Sequence, residues 1–141
     1  MNNYLDYLPQ KSPFRFIDEV IDYKQGKYMM AKLYSESLPQ EITKAAEFFS
    51  PSFITEALAQ LGIIFIQFET EPLKENELPV LGSIKMEKFN SVILKVSCID
   101  LLIKKVKVYS NHALLEGIAT VKGQVICNGQ FGVVKSFKAK E

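Results

Sequence analysis

The stretch from Ser50 to Phe68 limits what this chain can fold into more than any other. Ser50 is a capping residue, and Pro51 behind it takes the first helical position, where its missing N–H costs nothing. The residues that follow are apolar nearly all round, the pattern of a helix buried in a larger body. At about 100° per residue, Ser52, Glu56, Gln60 and Gln67 fall with Ile63 inside a wedge of roughly 80°. A lone carboxylate on so narrow a polar stripe has two readings: the stripe faces water, or Glu56 lines a cleft.

Such a helix needs apolar surface around it, and the rest of the chain reads as strands. Residues 2–8 suit a short helix ended by Pro9. Phe14 to Tyr23 and Tyr28 to Ser35 are apolar and β-branched on either side of Lys24-Gln25-Gly26-Lys27, which predicts a hairpin. Glu36 to Phe49 is poorly periodic and reads as a loop with at most a helical turn. Beyond the helix, Glu69 to Leu78 is an acidic connector interrupted by Pro72. Four strands are then expected: Pro79 to Phe89, Ser91 to Ser110, Leu114 to Val121, and Gln124 to Lys135, with Lys122-Gly123 as a tight turn. The tail from Ser136 to Glu141 is expected to fray. The fold class is therefore α+β, an antiparallel sheet wrapped around one long central helix. Five or six strands cannot enclose that helix completely, so its Glu56–Gln60 face is expected to meet a second subunit or line a pocket between subunits.

The 141 residues make one domain, 1–141, long enough to bury a sizeable core. A net charge of +1 gives no reason to expect a nucleic-acid or membrane partner. Arg15 is the only arginine, so a multi-arginine phosphate or carboxylate clamp is not expected. Cys98, Cys127 and the single His112 lack metal-ligand spacing, so no metal and no other cofactor is expected; both cysteines read as reduced, buried thiols. The N-terminus lacks the charged and apolar regions of a signal peptide, and no apolar run reaches a membrane-spanning length without polar breaks. A cytoplasmic protein is expected. His112 reads as a solvated turn residue.

Four motifs in register resemble one known family. Leu8-Pro9-Gln10-Lys11-Ser12-Pro13-Phe14-Arg15-Phe16-Ile17-Asp18-Glu19-Val20 is similar to the N-terminal signature of the hotdog-fold 3-hydroxyacyl-[acyl-carrier-protein] dehydratases. Glu56-Ala57-Leu58-Ala59-Gln60 matches the Glu-Ala-x-Ala-Gln motif on that family's central helix. Gly82-Ser83-Ile84 with Lys88-Phe89 resembles the following strand, and Gly117 to Val125 resembles its Gly-x-Ala-x-Val-x-Gly-x-Val hairpin. The resemblance implies a hotdog dimer acting on 3-hydroxyacyl thioesters in fatty-acid or related lipid or polyene biosynthesis. Dehydration needs a base for the C2 proton and an acid for the departing hydroxyl. In the family a loop His and a helix Glu from the other subunit supply them, and N–H groups at the helix N-terminus polarise the thioester carbonyl.

Carried over, the resemblance places Glu56 as the helix carboxylate, Ser52 and Phe53 as oxyanion donors, Gln60 beside Glu56 in the substrate site, and Phe49 and Phe89 along the acyl tunnel. The family's His-Phe-Pro-Gly loop is absent. Its place is taken by Lys44-Ala45-Ala46-Glu47-Phe48-Phe49-Ser50, about three residues shorter and without His, which leaves Glu47 as the nearby titratable substitute. Gln10 stands where a non-catalytic His is usual, and Lys95-Val96-Ser97 replaces a Pro-Gly-Asp turn. Three functions compete: a dehydratase-like enzyme with an altered site, a hotdog subunit without its own chemistry that binds acyl-ACP or pairs with a complete paralogue, and a thioesterase using Glu56 on acyl-ACP or acyl-CoA.

Overall fold

The computed structural model describes residues 4–7, 15–34, 51–69, 77–89, 98–109 and 112–137, with backbone only at 51, 77–79, 81, 88, 89 and 137. A single 3-10 turn, Tyr4–Tyr7, comes first. Six strands follow: β1 Glu19–Lys24, β2 Tyr28–Tyr34, β3 Glu77–Phe89, β4 Cys98–Val108, β5 His112–Val121 and β6 Gln124–Phe137. One helix, α1 Pro51–Glu69, lies between β2 and β3. The strands form one antiparallel sheet in the order β1-β2-β4-β5-β6-β3.

Period-2 patterning decides which face of the sheet meets the helix. Met29, Ala31 and Leu33 of β2 stand opposite Ile103, Leu101 and Ile99 of β4, and all six are buried. Ala113, Leu115 and Ala119 of β5 and Cys127, Phe131 and Val133 of β6 extend the same layer. α1 packs against strands β2 to β6 across it, and every residue from Ala57 to Ile66 except Gly62 and Gln60 is a buried hydrophobe. By length and composition Ser52–Glu69 is apolar enough to cross a membrane, although Glu56, Gln60 and Gln67 interrupt it; here 61% of that segment is buried inside the fold, as the core helix.

Close approach explains two glycines. A Cβ on Gly62 would lie 3.2 Å from Leu115 Cδ1, so glycine lets α1 settle onto β5. A Cβ on Gly129 would lie 2.6 Å from the Lys85 carbonyl oxygen, so glycine lets β3 seat against β6. The β5–β6 turn falls at Lys122 and Gly123, both at positive φ (51° and 79°), as the sequence predicts.

Four expectations are corrected. The first strand begins at Glu19, not Phe14: residues 15–18 are irregular, and Phe16 and Ile17 are buried side by side rather than alternating. The long strand expected to run from Ser91 to Ser110 stops at Val108, with Tyr109 already outside it; Cys98–Val108 is observed, and 91–97 lie outside the described residues. His112 is not a turn residue but the first residue of β5. Cys98 is only half-buried; Cys127 is buried as expected.

The fifth correction concerns the polar stripe of α1. Gln60 is completely buried, covered by the chain's own N-terminal segment rather than left for another subunit. The Gln67 amide likewise donates to the Tyr7 carbonyl at 2.7 Å. Tyr4, Tyr7 and Tyr23 pack their rings around Phe68, with centroids 5.1, 4.6 and 5.5 Å away. Glu69 then closes the helix end: its carboxylate accepts the Tyr23 hydroxyl at 2.5 Å and the Gly26 N–H at 2.7 Å.

Candidate active site

Glu56 sits in the second turn of α1, half-buried, one turn before Gln60. The backbone N–H of Phe16 donates to Gln60 Oε1 at 2.8 Å, and Gln60 Nε2 donates to Glu56 Oε1 at 3.1 Å. This chain of contacts fixes the amide orientation. A backbone N–H can only donate, so the carboxamide oxygen must face Phe16 and the NH2 group must face the carboxylate. Gln60 therefore stands behind Glu56 and orients it. Phe16 is held in turn by its ring, whose centroid is 5.2 Å from that of Phe53 in an edge-to-face contact.

Two further bonds set the segment that carries Phe16. Asp18 donates its N–H to the Lys32 carbonyl at 2.9 Å, and its carboxylate accepts the Tyr34 N–H at 2.6 Å. Ser52 is exposed and Phe53 half-buried in the first turn of α1, where the positive end of the helix dipole lies. The structure thus places Ser52, Phe53 and Glu56 in the first two turns of the helix, with Gln60 one turn further on at its middle. Glu47 and Phe49 lie outside the described residues, as does the Ser50 cap. Phe89 is placed by its backbone at the end of β3, opposite Cys127.

The chain's one imidazole is elsewhere. His112 is exposed on the outer face of the sheet, which separates it from α1, and its ring stacks on Tyr109 at 4.2 Å. It lines an open cleft of about 340 Å³ with Ser83, Leu114, Gly132 and Val134. No group of three His, Cys, Asp or Glu among the described residues is placed to hold a metal ion. Cys98 lies 3.9 Å from both Lys32 Nζ and Asp100 Oδ1, and those two form an ion pair at 2.9 Å. Burial raises the Cys98 thiol above its usual range against the opposing pull of Lys32, and burial alone pushes Cys127 up to about 11. Neither cysteine is an activated nucleophile.

Sequence reasoning missed Phe16 as the anchor of Gln60. The one available signal was that the N-terminal signature and the helix motif occur together, since nothing local marks a backbone N–H that will be needed 44 residues later.

An antiparallel sheet closed over a single long helix, with a carboxylate near the helix N-terminus, defines the hotdog class. Among solved structures, the dehydratase heterocomplex ApeI:P from Xenorhabdus doucetiae superposes with a TM-score of 0.76 at 14% identity, covering 98% of this chain and 93% of that one. A thioesterase from Haemophilus influenzae gives 0.66 at 8% identity, covering 87% and 80%. No family model matches the sequence. The 3-hydroxyacyl-[acyl-carrier-protein] dehydratase FabZ of Vibrio cholerae serotype O1 is 34% identical over 127 residues, covering 87% of this chain and 82% of that protein. The enzyme of the same name from Aliivibrio fischeri is 31% identical over 129 residues, covering 89% and 85%. The chain belongs to the FabZ family of 3-hydroxyacyl-[acyl-carrier-protein] dehydratases.

Proposed function

We propose that this protein works in the cytoplasm on 3-hydroxyacyl thioesters, carried by an acyl carrier protein or coenzyme A, as a dehydratase of fatty-acid or related lipid or polyene biosynthesis. Glu56 is its main acid–base group. A carboxylate beside the bound substrate takes the C2 proton, the C2–H pair forms the C2–C3 double bond, and the C3–O bond breaks. The same carboxyl then returns its proton to the leaving hydroxide as water, so atoms and charge balance. Glu47 is the candidate second acid–base group. N–H groups of Ser52 and Phe53 polarise the thioester carbonyl, Gln60 holds Glu56, and Phe49 and Phe89 flank the acyl chain.

The observation that carries this reading is the Phe16–Gln60–Glu56 series of hydrogen bonds. A buried amide spent on orienting one half-buried carboxylate is the construction expected of a working group, and a carboxylate that merely faces solvent needs no such support. Incubating the purified protein with a 3-hydroxyacyl-carrier protein and following enoyl formation tests it. Product is expected, and Glu56→Gln should lower the rate at least a hundredfold. Absence of product, or an unaffected variant, removes the reading. Thiol release without enoyl product would point to a thioesterase instead.

A second reading follows from the one imidazole lying across the sheet from Glu56. In it, this chain pairs with a paralogue that keeps the loop His and supplies Glu56 to a shared site. The heterocomplex named in the structural comparison supports that reading. Co-expression decides: a chain that stays with itself beside such a paralogue, and has no affinity for acyl-carrier protein, is not a partner subunit.

A further inference from the structure

The outer rim formed by the β1–β2 turn and the end of β4 has no part in the site above. Lys24 and Lys104 flank Tyr28 in one cross-strand row. The Lys105 N–H donates to the Lys27 carbonyl at 2.9 Å, which draws the turn against β4. Inward–outward alternation along β4 stops after Ile103. Lys104, Lys105, Val106 and Lys107 are all exposed where the register with β5 slips between Lys105 and Lys107. Val106 is 53% exposed, the highest value among the large hydrophobic side chains described, and Tyr109 nearby is 44% exposed. Five ammonium groups and two apolar side chains therefore share one rim.

Two carboxylates near the rim are engaged: Asp22 accepts the Tyr28 hydroxyl, and Glu69 holds Tyr23 and Gly26. A third, Glu116, stands opposite Lys104 in the β4–β5 ladder and leaves the five lysines in excess. A strip of like charge is self-repelling and calls for an anionic counterpart. Three kinds of counterpart differ in what they need. Single-stranded nucleic acid needs open aromatic faces for stacking; Tyr109 carries His112 on its ring at 4.2 Å and the Lys107 ammonium 5.1 Å from its centroid. A carrier protein delivering a thioester must approach the N-terminus of α1, whereas this rim sits at the C-terminal end, where Glu69 meets Gly26. The 19 residues of α1 put roughly 27 Å between those ends. A layer of lipid phosphates needs only diffuse positive charge and a small apolar tip, and lysine ammonium groups are strongly hydrated point charges suited to it.

We propose that this rim is a peripheral attachment surface for an anionic lipid bilayer. Lysines 24, 27, 104, 105 and 107 meet the headgroup phosphates, Val106 and Tyr109 enter the interfacial layer, and the N-terminus of α1 is held away from the membrane. The inference stands whether or not the chain dehydrates anything. It reverses, for this one surface, the expectation from net charge that no membrane is involved.

The test is co-sedimentation of the full chain with phosphatidylcholine vesicles, with and without phosphatidylglycerol. Binding is expected only with phosphatidylglycerol and should weaken as salt rises. Each lysine near the surface contributes about a fivefold factor, so Lys105→Gln with Lys107→Gln should weaken binding about 25-fold. Lys85→Gln with Lys122→Gln, exposed elsewhere, should leave it within about twofold. Val106→Ser should weaken binding without changing its salt dependence. No binding at low salt, equal loss in both double variants, or equal binding to pure phosphatidylcholine would each overturn the proposal. So would retention of the rim double variant on the vesicles at wild-type strength.

Discussion

Replacing Gln60 separates the two halves of its role. Gln60→Leu keeps the volume but removes the acceptor for the Phe16 N–H and the donor to Glu56. An unsatisfied buried N–H costs about 1–3 kcal/mol, and the lost bond to a half-exposed carboxylate about 1 kcal/mol. Burying leucine instead of an amide offsets about 1–2 kcal/mol. The net loss is about 1.5 kcal/mol, which for a urea slope of about 2 kcal/mol/M lowers the midpoint by about 0.75 M. The chain has no tryptophan, so unfolding is best followed by far-UV circular dichroism.

Gln60→Glu keeps the acceptor for Phe16 but faces Glu56 with a second carboxylate. Burial and that neighbour raise the introduced group's folded pKa above its unfolded value of about 4.3. The folded state then binds the proton more tightly. The variant's stability relative to wild type is best below pH 4, and falls as pH rises through the raised folded value. A leucine variant as stable as wild type would refute the reasoning, and so would a glutamate variant whose midpoint, relative to wild type, is the same at pH 5 and pH 8. Either would mean that Gln60 does not join Phe16 to Glu56.

Three other outcomes follow from the packing. Tyr23 is held protonated well above the usual phenol range, first by burial and then by its bond to Glu69. Its folded pKa is raised, so the associated stability is full below about pH 10 and is lost above it; absorbance titration should show that phenol ionising only with unfolding, and Tyr23→Phe should remove the late step. Gly129→Ala should cost about 3 kcal/mol, because the new methyl meets the Lys85 carbonyl at 2.6 Å and Met86 Cα at 3.0 Å, and backbone cannot step aside as a side chain can; urea unfolding measures it. Iodoacetamide at pH 8 should alkylate half-buried Cys98 first and buried Cys127 only when the protein unfolds, since a thiol near 11 has almost no thiolate there; peptide mass mapping reads the order.

The helix was legible because Pro51 marks its start and its apolar circumference demands enclosure, both local properties. The β5–β6 turn was legible for the same reason, in Lys122 and Gly123. Residues 15–18 misled because Phe16 and Ile17, like Phe14 just before them, have strand composition. The Phe16 N–H goes to Gln60 instead of a ladder, a bond set by tertiary packing that no window of neighbours contains. The polar stripe misled likewise: a helical wheel shows which residues share a face, not which distant segment will lie over it. The helical stripe and the motif register singled out Glu56 as a candidate, whereas the burial of Gln60 behind it came only from the fold.

The strand order carries a kinetic consequence. β4, β5 and β6 are joined by short connections and can assemble as a local meander. β1 and β2 make a local hairpin of their own, but neither that hairpin nor β3 can join the meander through a short connection. β2 must find β4 across nearly half the chain, with α1 and β3 intervening, and β3 must reach past β4 and β5 to the far side of β6. Closure over such distances is paid in chain entropy before any contact returns it. Folding should therefore begin in the C-terminal third, with the sheet growing outward in both directions from it. On a ribosome, which releases the N-terminus first, the β1–β2 hairpin and the long apolar helix emerge before the surface that will bury them exists. Until β4–β6 appear, Ile54 to Ile66 is the segment most in need of a chaperone.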